Sequence, residues 1–213
     1  METARKFLAL PFPITLSILP HLAHSREVAK LAHSQDHEVM LHLPMQPLGY
    51  PKTDPGKGAL LLSMSSDQIS GAIDSAVQSC PHLVGINNHM GSKFTEDADH
   101  MKWVLQELGR RKLFFLDSHT SPRSVAYSVA RELRVPSLRR DIFLDHTDTE
   151  EAVQAQLEQL VKKAKIQGSA IAIGHPHEST YKVLSRAAGI FRKEGITVVP
   201  ASQLITTAPI DAR

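Results

Sequence analysis

The segment RDIFLDHTDTEEAVQAQLEQLVKKAKIQGSAIAIGHP, Arg140 to Pro176, decides the fold, because two short apolar runs in it flank one amphipathic stretch. Val153, Leu157, Leu160, Val161 and Ala164 recur three and four residues apart, which predicts a helix from about Thr149 to Ile166 with one buried face. Gly168 closes it. The flanking runs, Arg140 to Asp145 and Ala170 to Gly174, are too short for helices and are bounded by turn residues, so they read as strands. A strand, a helix and a strand in this order predict a parallel pair joined by a helical crossover.

The same alternation extends outward to both ends. Toward the N-terminus, Lys112 to Asp117 reads as a buried strand, followed by a helix opened by Ser121 and Pro122 and carrying Val125, Val129 and Leu133. Before it, Thr95 is placed as the cap of a helix bearing Met101, Val104, Leu105 and Leu108, and Leu83 to Asn87 is a strand. Ser66 or Asp67 opens a helix with Ile69, Ile73 and Val77. Val39, Leu41 and Leu43 alternate as a strand, and so do Ile14, Leu16 and Ile18, with a helix from Ser25 between them. Toward the C-terminus, Val183, Leu184, Ala187 and Phe191 mark a helix, and Ile196, Val198 and Val199 a last strand. Seven strands interleaved with six helices predict an α/β fold with a parallel sheet, open or closed into a barrel. With no linker, repeat or composition shift, residues 1–213 read as a single domain.

Composition narrows the function. The 213 residues are 42% hydrophobic and 22% charged, values of a folded globular chain rather than a disordered or fibrous one. The formal charge of +2 supplies no field to hold nucleic acid. No stretch reaches the roughly 18 apolar residues of a membrane span. Arg5 and Lys6 precede an apolar run from Phe7 to Leu19, but Pro11 and Pro13 break it, so it reads as an ordinary strand, with a signal peptide as the alternative. Cys80 is the only cysteine and is assigned to the core, which excludes an intrachain disulfide and a thiolate metal cluster. The loop from Pro44 to Gly58, rich in Pro and Gly, has the length of a functional rim or lid.

In parallel α/β folds the carboxyl ends of the strands build the site. Here they carry His42, then Asn87, Asn88 and His89, then Asp117, Ser118 and His119, then Asp145 and His146, then His175 and His177. Asp145 and His146, beside Thr147 and Asp148, read as helix-cap residues, and His177 as solvent-exposed. His21, His24, His33 and His37 read as solvated. For His89 and His175 a functional and a structural reading both stand. Asp117 closes an apolar strand, where a carboxylate is costly unless it is paired or used.

The blocks HEVMLHLPMQP (His37 to Pro47), INNHMGSKFT (Ile86 to Thr95), LFFLDSHTS (Leu113 to Ser121), RRDIFLD (Arg139 to Asp145) and AIAIGHP (Ala170 to Pro176) resemble the divergent polysaccharide deacetylase family. The resemblance implies an irregular (β/α) barrel of the NodB-like deacetylase type, with about seven parallel strands. It also implies metal-assisted removal of an acetyl group from a polysaccharide or amino-sugar substrate. His42 corresponds to a metal histidine, and His89 is the second candidate ligand for a divalent ion, zinc being the expected one. Gln46 stands where the better-known branch has another histidine. Asp117 takes the position of the base, His175 that of the acid, and Asn88 that of an oxyanion donor, with Ser118 and Asp141 as further pocket residues. The family's early Asp-Asp pair has no counterpart, so the chain is expected to start about one β/α unit late, with weak metal binding and low activity. An exposed edge left by that unit predicts a homo-oligomer or a longer gene product. The resemblance implies the bacterial periplasm or cell envelope as location. The rival reading is an inactive carbohydrate-binding or scaffold protein of the envelope that keeps the barrel and has lost the metal.

Overall fold

The computed structural model describes residues 1–205. It contains seven strands and seven α-helices, and the strands form two parallel sheets. The parallel α/β class expected from the sequence is what the chain builds. Its residues divide into two compact units, one of Thr15–Ser34 and Glu38–Arg139, the other of Met1–Ile14, Gln35–His37 and the chain from Arg140 onward.

The first unit holds a five-stranded sheet of β1 (Thr15–Ile18), β2 (Glu38–Met45), β3 (Leu83–Met90), β4 (Phe114–Asp117) and β5 (Ser137–Arg139), adjacent in that order. Helices α2 (Ser25–Ser34), α3 (Ser66–Ser79), α4 (Ala98–Arg110) and α5 (Ala126–Glu132) make the crossovers. Strand β2 runs through Pro44, which the sequence places in the following loop. The Pro44 carbonyl accepts from Leu60 N–H, so its nitrogen also faces the 46–60 loop, and the ladder to β3 loses no donor. Gly85 is required by its neighbour, since a Cβ there would meet the Phe114 ring at 2.7 Å.

Helix starts differ from expectation by a few residues, each for a visible reason. Ser65 caps α3 through a capping box with Gln68. Asp97, not Thr95, caps α4 by accepting from His100 N–H, while the Thr95 hydroxyl donates to Gly91 O at 2.9 Å. Ser121 does not open α5; its hydroxyl donates to Glu96 at 2.6 Å. Cys80 is buried as expected, and burial, partly offset by Arg26, pushes its thiol up to about 11.

The second unit holds α1 (Glu2–Leu8), β6 (Ile142–Phe143), α6 (Glu150–Gln167), β7 (Ala172–Ile173) and α7 (Glu178–Glu194), with β6 and β7 paired in parallel. Thr149 and Gly168 bound α6 as predicted, Gly168 at a φ of 83°. Val153, Leu157 and Val161 pack with Leu144, Val183, Ala187 and Phe191 in one core. Three expectations about the elements change. Residues 2–8, of which Phe7 and Leu8 lie in the run read as strand, are helical. Ile196, Val198 and Val199 form no strand; Ile196 and Val198 pack on the same core as irregular backbone. The sequence reading also passes over β5, so the count of seven strands is right while its members differ. Among the described residues, no helix is long and apolar enough to cross a membrane.

Candidate functional site

The register of the five-stranded sheet sorts the candidate residues. His42 lies opposite Asn87, and Asn87 opposite Leu116. Side chains alternate along a strand, so His42, Asn87 and His89 share one face, and Ser118, two residues beyond Leu116, follows onto it. Ser17 joins them, because it pairs with Met40, two residues before His42. The parity that gathers these groups turns Asn88 and Asp117 to the other face.

On the shared face the polar groups form a chain of hydrogen bonds. Asn87 Oδ1 accepts from the Ser17 hydroxyl and from His42 Nδ1 at 2.9 Å, and Asn87 Nδ2 donates to Ser118 Oγ at 3.1 Å. An amide oxygen only accepts, so His42 carries its proton on Nδ1 and turns the lone pair of Nε2 outward. His89 Nδ1 faces that lone pair at 3.0 Å, with the two rings edge-on at 68°. Two nitrogens on one tetrahedral zinc stand about 3.3 Å apart, so the spacing suits a shared ion as well as a hydrogen bond. The outer nitrogen of His42 is already oriented, as in metal-bound histidines. The pair falls short in number: among the described residues it belongs to no group of three His, Cys, Asp or Glu donors.

Asn88 is fully buried and its amide is engaged. It donates to Met90 O at 2.8 Å and to Thr120 Oγ1 at 3.4 Å, and its Oδ1 accepts from Ser118 N–H. This ties the end of β3 to the end of β4. Asp117, 1% exposed, accepts from His119 N–H and from the Ser124 hydroxyl, both at 2.8 Å, and so pins the loop after β4. Met90 and His119 both adopt left-handed backbone, with φ of 51° and 49°, at a cost of about 1 kcal/mol or more each. Gln46 also holds a loop: its Oε1 accepts from Leu62 N–H at 2.8 Å.

The second unit brings together another set. Asp145, whose side chain is fully buried, accepts from His175 Nδ1 at 3.1 Å, from His175 N–H and from the Thr180 hydroxyl at 2.8 Å. Gly174 makes room, since a Cβ there would stand 3.1 Å from Asp145 Oδ2. Burial raises the Asp145 carboxyl pKa, but the bonds from His175 and Thr180 outweigh it and hold the group below its usual range. The same hydrogen bond raises the His175 imidazole against the opposing effect of burial. Asp145 is therefore no helix cap, as Thr149 fills that place. His177, exposed as expected, places a donor atom within 4.8 Å of donors on Asp145 and His175. Asp141 forms an ion pair with Lys163 at 2.9 Å and accepts from Ile171 N–H. His37 corrects the reading of the early histidines as solvated: it is buried, its Nδ1 accepting from Ile14 N–H at 3.2 Å and its Nε2 donating to Leu8 O at 3.0 Å.

Structural similarity bears on the fold. Over 96% of this chain and 62% of the other, the fold matches the crystal structure of a BA3943 mutant, described as a CE4 family pseudoenzyme with restored enzymatic activity, at a TM-score of 0.56 and 15% identity. A much nearer match is the protein ATU2773 of Agrobacterium tumefaciens C58, with a TM-score of 0.92 and 25% identity over 96% of this chain and 83% of that one. The parallel α/β fold is thus shared with a CE4 family pseudoenzyme. The divergent polysaccharide deacetylase model matches residues 1–205, and the chain belongs to that family. It is 42% identical over 204 residues to YibQ of Escherichia coli K12 and 39% identical over 176 residues to a Haemophilus influenzae Rd protein. It covers 96% and 83% of its own length in these matches, and spans 63% and 62% of those relatives.

Proposed function

We propose that this chain carries the acetyl-removing centre of a carbohydrate deacetylase acting on polysaccharide or amino-sugar substrates of the bacterial envelope. The observation that carries the reading is the 3.0 Å approach of His89 Nδ1 to His42 Nε2 on a histidine whose other nitrogen is fixed by Asn87. Membership of the family supports the substrate class and the location.

His42 and His89 would hold a divalent ion, whose charge polarises water and an acetyl carbonyl. Asn87 keeps His42 in the tautomer whose Nε2 is a ligand. Asn88 and Asp117 act by position, the first joining the ends of β3 and β4 and the second setting the loop that carries His119. His175 belongs to the second unit, where Asp145 holds it, and no proton-transfer step at the His42–His89 centre is assigned to it.

A catalytic zinc normally has three protein ligands, and this pair offers two, so the expected turnover is slow. The same shortage favours the second reading, an envelope protein that binds carbohydrate without hydrolysing it. The test is acetate release from N-acetylglucosamine oligomers and from acetylated polysaccharide, using chain stripped by chelator and reloaded with zinc or cobalt. Metal-dependent release that His42→Ala and His89→Ala both abolish is the expected result. Release indifferent to metal and to both substitutions overturns the assignment of the centre. Oligosaccharide binding with no acetate released under any metal establishes the second reading.

A further inference from the structure

We propose a second divalent-cation site, separate from the His42–His89 pair, formed by Asp145, His175 and His177 and selective for zinc-like ions over magnesium and calcium. One buried carboxylate and two imidazoles bring donor atoms within 4.8 Å of one another. The mixture of nitrogen and oxygen donors suits zinc, cobalt or nickel, while magnesium and calcium prefer oxygen alone.

The site has one fixed ligand and two adjustable ones. Asp145 is locked by the Thr180 hydroxyl and the His175 backbone N–H, so its carboxylate keeps one orientation. His175 and His177 expose 45% and 44% of their side chains, so each ring can be re-aimed by exchanging its contact with Asp145 or Asp148 for a metal ion. Donors on one tetrahedral zinc stand about 3.3 Å apart, so side-chain rotation has to close at most about 1.5 Å. Pro176 stands between the two histidines, and His177 N–H donates to His175 O at 2.8 Å, a tight turn that presents both rings together.

Electrostatics favour a cation despite the helix that starts here. Glu178 begins α7, whose positive end carries about half a charge and opposes a metal ion. Asp145 offsets it with a full charge. Asp148 adds a second, lying 3.5 Å from His177 Nδ1 and held by the Ser179 hydroxyl.

The experiment is zinc titration by calorimetry on the metal-stripped His42→Ala/His89→Ala chain, which lacks the other candidate centre. One zinc ion per chain is expected to bind, with magnesium failing to compete. Adding His177→Ala or His177→Gln is expected to weaken it about 10–100-fold or more, while cobalt loaded at the site loses the visible absorption of a nitrogen-ligated ion. His177 is exposed and closes no core contact, and circular dichroism checks the fold of each variant. Absence of zinc binding in the double variant, or affinity unchanged by both His177 substitutions, overturns the site. Neither result touches the acetate-release test, whose failure depends on His42 and His89.

Discussion

Asn87 determines what His42 is able to do, because a single amide oxygen takes the proton-bearing nitrogen and leaves Nε2 as the only ligand atom. Asn87→Leu keeps the volume and removes the partners of His42 and Ser118. We expect a loss of about 2–3 kcal/mol in urea unfolding, the cost of leaving buried polar groups unmatched, and a metal affinity at His42 and His89 lower by about 10–100-fold. Isothermal titration of the refolded variant reads the second effect, and unchanged affinity would show that the tautomer is set by something else. His89 is legible in the sequence as a polar residue near the end of an apolar strand, whereas His42, read there as a strand end, lies inside β2, which runs on to Met45. Asp145, beside Thr147 and Asp148, has the sequence surroundings of a helix-cap residue, and only the fold shows its carboxylate bonded to His175 and Thr180. His37 has the sequence surroundings of a solvated residue, yet it stands directly before β2 and its two nitrogens bridge backbone groups of residues 8 and 14.

Among the elements, α3 and α4 are joined through one buried acid. Glu107 on α4 is 6% exposed, and it pairs with Arg110 and with Arg111, which also reaches Asp74 on α3. Burial raises the Glu107 pKa, but the bonds from Arg110, Arg111 and Ser70 outweigh it, so the folded value lies below the usual carboxylate range. A depressed carboxylate contributes its stability above its unfolded pKa of about 4.3 and loses it as pH falls through the folded value. Glu107→Gln is therefore expected to cost about 1–3 kcal/mol at pH 7 and much less at pH 3, measured by urea unfolding at both values. An equal cost at both would assign the effect to packing. The spacing of apolar residues makes most strands and helices legible in the sequence, since burial on one face is what creates the pattern. It fails where burial has another source. Ser137–Arg139 is too short to show a period, and Ile196 and Val198 are covered by α6 and α7 side chains without a strand partner.

At the scale of the whole molecule, the two compact units are threaded through each other in sequence. The chain passes between them after Ile14, Ser34, His37 and Arg139, so neither unit is a continuous piece. Gln35–His37, three residues of one unit, lie between α2 and β2 of the other, and Phe12 packs edge-on to Phe191 across most of the sequence. Each unit is therefore expected to feel the unfolding of the other through these covalent connections. We propose that residues 1–213 form one domain, and we expect one cooperative transition in urea. Trp103, the only tryptophan, reports on the first unit through its fluorescence, and hydrogen exchange of α6 and α7 amides reports on the second. Coincident midpoints are the expected outcome, as two-state unfolding requires of different probes. Midpoints separated by more than the error of the fits would show two domains that fold independently, with the interleaved segments acting as tethers only.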